Sequence, residues 1–247
     1  MIDPRIAAIE SRMRGIKRVI AISSGKGGVG KSLLASTLAL TLVRRGYKVG
    51  LFDLDFTSPS THLILGVKGV KPKEEKGIIP PLTDGLKYMS IIYYAGENAV
   101  PLRGEGISNA LIELLSVTKW GKLDFLLLDM PPGIGDATLD LIRLIKGIEF
   151  LVVTVPSRLA FETVRKLLDL LKELGIPVIG VVENMKRIDQ ENIRQRLRRM
   201  EVDFYGEIHF DENVETAIGK RDILMRTTFA HEVEKVSSWL MLGSRKS

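Results

Sequence analysis

Residues 19–45 read VIAISSGKGGVGKSLLASTLALTLVRR, and the architecture follows from them. The apolar run Val19-Ile22 suits a buried strand, while Lys31-Arg45 has the helical spacing of a long packed segment closed by Gly46. Between them Gly25-Lys26-Gly27-Gly28-Val29-Gly30-Lys31-Ser32 satisfies G-x-x-x-x-G-K-S/T in the strand–loop–helix setting that the pattern requires. Glycine admits backbone conformations closed to other residues, so successive N–H groups can turn inward around an anion at a helix N-terminus. Lys31 is then placed to reach the β- and γ-phosphates of a nucleotide. Ser32 can offer its hydroxyl to Mg²⁺, which takes hard oxygen ligands. A Gly-rich turn without a ligand is the plain alternative, and the strand–loop–helix placement weighs against it.

Outward from this unit the same rhythm repeats. Val49-Asp53, Phe125-Asp129, Phe150-Val155 and Val178-Val182 read as strands, and Ala160-Leu174 as a helix ended by Gly175 and Pro177. DFLLLD and FLVVTV are apolar on both faces, as expected when helices cover both sides of a parallel sheet. The expected fold is therefore α/β: a doubly wound, mainly parallel sheet with helices on both faces. Residues Gly66 to Gly85 carry Gly, Pro and Lys with little periodicity and are expected to be a mobile loop inserted before a strand at Leu86-Tyr93. With an N-terminal helix in residues 1–16 and a C-terminal helix and tail in residues 228–247, one domain over 1–247 is the simplest division.

Lys26 is a second cation inside the loop. Like charges about 4 Å apart at an effective dielectric near 20 repel by roughly 4 kcal/mol, so Lys26 and Lys31 need separate targets. Lys26 is expected to cross a dimer interface to the partner's nucleotide; a solvated lysine is the alternative. Asp53 and Asp55 follow the second strand, and a D-x-D pair in extended chain puts both carboxylates on one side, where they suit water and metal contacts or a turn cap. Asp129 ends a buried run and so faces the crevice at the carboxyl end of the sheet, where it can hold Mg²⁺ through water.

The loop KGGVGKS (residues 26–32) resembles the deviant phosphate-binding loop of the MinD/ParA/Mrp class of dimeric ATPases, whose signature lysine has the trans role given to Lys26. The Mrp branch fits best. Similarity extends from Lys17 to Leu224 through KVGLFDLDFTSPSTHLILG, PLRGEGISNALIELL, DFLLLDMPPGIGD, LVVTVP and GVVENM. The resemblance implies ATP/ADP and Mg²⁺ bound by residues Gly25 to Leu33 and an ATP-dependent homodimer. It implies that Asp55 orients the attacking water, that Asp53 supports the Mg²⁺ shell, and that Pro131-Pro132-Gly133 forms a switch. It also assigns adenine reading to Asn184 and closure over the base to Ile208-Asp211, where Asp211 joins the nucleotide site and His209 stands in place of the family's proline. Leu33 replaces the family's threonine, which removes one hydroxyl from the α-phosphate and implies weaker binding.

Cluster-carrying Mrp members place a C-x-x-C soon after the ENM motif, whereas this chain reads KRIDQENIRQRLRRM there and has no cysteine in 247 residues. These residues supply no thiolate for a disulfide, a zinc site or an iron–sulfur cluster. The departure implies a motor that delegates metal handling to a metallochaperone partner, as in the archaeal HypB-type ATPases that serve nickel delivery in nickel–iron hydrogenase maturation. The alternatives are an iron–sulfur assembly or carrier ATPase and a MinD/ParA-like positioning ATPase. Lys+Arg of 36 against Asp+Glu of 30 gives a net charge of +6, which does not choose among anionic partners. The basic stretch Lys186-Arg199 is read as a solvated helical face over a site for an acidic partner or DNA, and Phe229-Leu242 as a helix packed on the core over a membrane anchor. No run of about 18 apolar residues is present. The expectation is a cytoplasmic protein without nucleic-acid partners or stable membrane anchoring.

Overall fold

The computed structural model describes residues 3–95, 104–187 and 193–243. Pro101–Arg103 of the PLRGEGISNALIELL motif, residues 188–192 of the basic stretch and the ends at 1–2 and 244–247 lie outside the described residues.

Asp3 starts α1 (Pro4–Met13) by accepting the Arg5 N–H at 2.9 Å. β1 (Ile16–Ser24) runs through the glycine loop into α2 (Lys31–Arg44), and β2 (Val49–Asp53) leads to one turn of helix, α3 (Thr61–Ile64). Four short strands follow: β3 (Lys73–Glu74), β4 (Ile78–Ile79), β5 (Leu82–Thr83) and β6 (Leu86–Ser90). Next come α4 (Ile92–Ala95), α5 (Glu105–Val117), β7 (Leu123–Asp129), α6 (Asp136–Leu144), β8 (Glu149–Thr154) and α7 (Arg158–Glu173). The last third holds β9 (Val178–Lys186), α8 (Arg194–Arg199), β10 (Phe204–His209), α9 (Asn213–Ala217), α10 (Arg221–Leu224) and α11 (Thr228–Gly243).

The strands order as β10-β9-β8-β1-β7-β2-β6-β5, parallel throughout except for the β5–β6 edge pair. The sheet is buried on both faces. Val19 and Ala21 join one core with α1, α5, α6, α7 and α8; Ile20 and Ile22 join the other with α2 and α11. Fully burying one such aliphatic side chain stabilises by about 1.5–3 kcal/mol, so strands without a polar face are held from two sides. Trp120 seals one layer: it is fully buried, its ring 5.4 Å from that of Phe52, and a Cβ at Gly50 would meet it at 2.8 Å. On the other layer Trp239 of α11 stacks on Tyr205 and stays half exposed.

Three expectations change. Residues 66–85 are not without structure: β3 and β4 form an antiparallel hairpin, and Leu82 and Thr83 pair with Lys87 and Leu86. The connecting Asp84 and Gly85 both have positive φ, 48° and 81°, the geometry of the tight turn that matches strand twist. The expected strand Leu86-Tyr93 ends at Ser90, and Tyr93 lies in α4. The basic stretch is likewise divided, with Lys186 in β9 and the helix confined to Arg194–Arg199. α11 packs through Phe229, Val233, Val236 and Leu240, as expected of a core helix.

Candidate functional site

The glycine loop bridges the carboxyl end of β1 and the first turn of α2, beside a cavity of about 480 Å³. Residues 26–33, Asp55, Thr57, Ser58, Ser60, Ile64 and Pro132 line it, together with Ser24. Gly30 caps α2 with φ +79°, and a Cβ there would stand 2.3 Å from Asn184 Nδ2. That close approach has a purpose, because Asn184 Nδ2 donates to the Val29 carbonyl at 2.8 Å. Ser24 Oγ donates to the Lys26 carbonyl at 2.9 Å, so the loop is braced at two points. Lys26 is exposed at its rim.

Charge converges behind the loop. Lys31 Nζ lies 2.5 Å from Asp129 Oδ1, with Lys31 only 6% exposed and Asp129 fully buried. Asp129 Oδ2 is buried without a hydrogen-bond partner. Parallel register sets Asp53 beside Asp129 across β2 and β7. Burial pushes the Asp53 carboxyl up to about 7, the Asp129 charge adds to this, and hydrogen bonds from Thr61 and the Asp55 N–H oppose it. Burial also raises Asp129, against the pull of Lys31. A buried carboxylate oxygen with no donor, next to a serine hydroxyl at the start of α2, is a hard oxygen set of the kind that suits Mg²⁺. Asp129 and Ser32 fit that ion.

The remaining predicted residues divide. Asp55 reaches the cavity; its Oδ1 accepts from the Thr57 hydroxyl at 2.7 Å and the Ser58 N–H at 3.0 Å. Asp53 lies behind the cavity wall with both oxygens accepting from protein groups, Asp55 N–H on one and Thr61 on the other. That arrangement braces the following loop while keeping Asp53 next to Asp129, the position from which the resemblance has it support the Mg²⁺ shell. Asn184, assigned to adenine reading by the resemblance, lies within β9, which runs on to Lys186, and its amide nitrogen holds the glycine loop. Asp211 stands apart from the cavity lining: its carboxylate accepts from the Asn213 N–H at 3.0 Å and the Phe229 N–H at 3.1 Å, tying down the start of α11. Thr57, Ser58 and Ser60 also line the cavity, and the sequence carries no signal for them, since a run of small hydroxyl residues has no spacing that separates it from a turn. Among the described residues no group of three or more His, Cys, Asp or Glu is placed to hold a metal ion, and no helix is long and apolar enough to cross a membrane.

Comparison with known proteins bears on this geometry. A ParA profile described as NUBPL iron-transfer P-loop NTPase matches residues 15–240. An iron–sulfur cluster carrier protein of Aquifex aeolicus is 43% identical over 178 residues, covering 70% of this chain and 49% of the relative. The chain thus spans about half the length of that curated relative. A nucleotide-binding protein of Archaeoglobus fulgidus, solved with ADP, superposes with a TM-score of 0.74 at 29% identity over 95% of each chain. The cell division ATPase MinD of Pyrococcus furiosus superposes with a TM-score of 0.69 at 22% identity, over 92% of this chain and 99% of MinD, which speaks for the fold.

Proposed function

Because the chain belongs to the ParA family of NUBPL-type iron-transfer P-loop NTPases, we propose that it is a Mg²⁺-dependent ATPase whose nucleotide state governs a step of iron–sulfur cluster assembly. The single observation that carries the ATPase reading is the Lys31–Asp129 pair behind the glycine loop, with Asp129 Oδ2 left without a donor. The ADP bound by the Archaeoglobus neighbour supports ATP/ADP as the ligand.

Residues 25–33 offer backbone N–H groups to the phosphates, and Lys31 supplies positive charge to the terminal ones. Mg²⁺, held by Ser32 and Asp129, supplies further charge neutralisation when bound. Asp55, on the opposite wall, accepts a hydrogen bond from the attacking water and orients it. Lys26 reaches across to a second copy's nucleotide, so ATP favours a dimer. Catalysis here is positioning and electrostatics, since phosphoryl transfer asks little covalent chemistry of the protein. The whole chain acts as one ATPase domain, a division supported by a sheet that draws strands from Ile16 to His209.

The relatives lend no support to nickel delivery, hydrogenase maturation or a metallochaperone partner, and they favour the iron–sulfur alternative. With no cysteine in these 247 residues, thiolate ligands for a cluster come from outside them, so these residues serve as the motor and not as the cluster's holder. The test is phosphate release from Mg²⁺-ATP by the wild type, Lys31→Ala and Asp129→Asn. Hydrolysis in the wild type alone is expected, and an inert wild type would refute the ATPase. Proteins retained on Asp55→Ala in ATP should carry iron and acid-labile sulfide; nickel in their place would reverse the choice of cargo.

A further inference from the structure

The cavity wall facing the glycine loop is the segment between β2 and α3, which contributes Asp55, Thr57, Ser58 and Ser60. Both ends of that segment hang from one carboxylate. Asp53 Oδ1 accepts the Asp55 N–H at 3.1 Å, while Asp53 Oδ2 accepts the Thr61 N–H at 3.2 Å and the Thr61 hydroxyl at 2.6 Å. With the Thr61 hydrogen given to Asp53, the 2.9 Å contact between Thr61 Oγ1 and Tyr88 Oη has the tyrosine as donor. Tyr88, Thr61 and Asp53 are all fully buried, and Tyr88 stands on β6, the strand next to β2.

Packing alone does not call for these hydroxyls. A phenylalanine would fill the Tyr88 site without a polar group to satisfy, and buried hydroxyls cost free energy unless paired. What they add is direction. The Tyr88–Thr61–Asp53 chain fixes the rotamer of the carboxylate from which the cavity wall is suspended, and a small misplacement of a reacting group is costly to catalysis. We infer that Thr61 and Tyr88 are positioning residues for ATP hydrolysis: through Asp53 they hold the wall in the conformation that carries Asp55 to the phosphate cavity. The inference rests on the ATPase reading above, and neither residue lines the cavity itself.

The experiment measures kcat and KM for Mg²⁺-ATP, with urea melts alongside, for wild type, Tyr88→Phe, Thr61→Val and Thr61→Ser. Tyr88→Phe should lower kcat roughly threefold to tenfold, the loss expected of one neutral hydrogen bond, with KM held within about twofold. Thr61→Val should lower kcat further and Thr61→Ser should restore it, which a packing role would not require. If Thr61→Val does not fold, Tyr88→Phe decides, because it keeps the ring. Unchanged kcat in Tyr88→Phe beside an active wild type overturns this inference alone; an inactive wild type overturns it together with the ATPase reading.

Discussion

Lys31 and Asp129 are each costly to bury alone and tolerable only together. Removing one partner of a buried pair typically costs about 3–5 kcal/mol, because the other charge is stranded. Lys31→Met should therefore lower unfolding free energy by about 3 kcal/mol as well as stop hydrolysis, and urea denaturation at neutral pH checks it. A loss under about 1 kcal/mol would mean that the pair is solvated in solution. Gly30 has a different constraint. At φ +79° and with Asn184 Nδ2 in the way of a Cβ, Gly30→Ala should cost about 1–3 kcal/mol and weaken nucleotide binding, whereas Ala at an open glycine should be milder. At this scale the sequence is legible where partners are adjacent. Gly25 to Ser32 declare themselves because one loop contains both the donors and the helix they lead into. Asn184 does not, since the carbonyl it holds belongs to Val29, 155 positions earlier. Asp53 reads as half of a D-x-D pair, and nothing in its neighbourhood announces Tyr88.

Among the elements, α11 depends on a residue outside it. Burial works to raise the Asp211 carboxyl, but N–H donors from Phe229 and Asn213 outweigh this and leave it below its ordinary value. A carboxylate lowered on folding contributes stability that is complete above its unfolded pKa of about 3.9 and lost as pH falls through the lower folded value. Wild type should therefore be more stable than Asp211→Asn at pH 6, and the gap should close under acid, as urea midpoints at pH 6 and pH 3 would report. A constant gap would locate the effect elsewhere. The β5–β6 turn shows what a compositional reading passes over. Pro, Gly and Lys between Gly66 and Gly85 resemble a loop, yet Asp84-Gly85 is a two-residue hairpin signal in its own right. Gly85→Ala, forced to φ 81°, should cost about 1 kcal/mol and loosen the sheet edge, which amide exchange at Leu86 would detect. The strand's end at Ser90 leaves no mark in the sequence, because Ile91 to Tyr93 remain apolar as the backbone turns into α4.

At the level of the whole molecule, doubly wound topology places the carboxyl ends of β1, β2 and β7 together, and that gathering makes a crevice from residues far apart in sequence. This much was readable from two-sided apolar strands and the glycine loop. Lys26 stands exposed at the rim of the crevice, and the trans role proposed for it requires that exposure. Light scattering after size exclusion should find dimers with Mg²⁺-ATP plus Asp55→Ala to slow turnover, and monomers once Lys26→Ala is added. Monomers in both would remove the trans role. Nucleotide at a hundred times its dissociation constant should stabilise the fold by about 2.7 kcal/mol, visible as a rise in melting temperature.

Trp120 and Trp239 are the two tryptophans of the chain, one sealed at 0% exposure and the other at 50%. They sit on opposite faces of the sheet, so intrinsic emission carries two separate reporters. Iodide should dim the red-shifted indole and leave the blue one untouched. Following each colour through a denaturant ramp would then tell whether the two helical layers come apart in a single event or in succession.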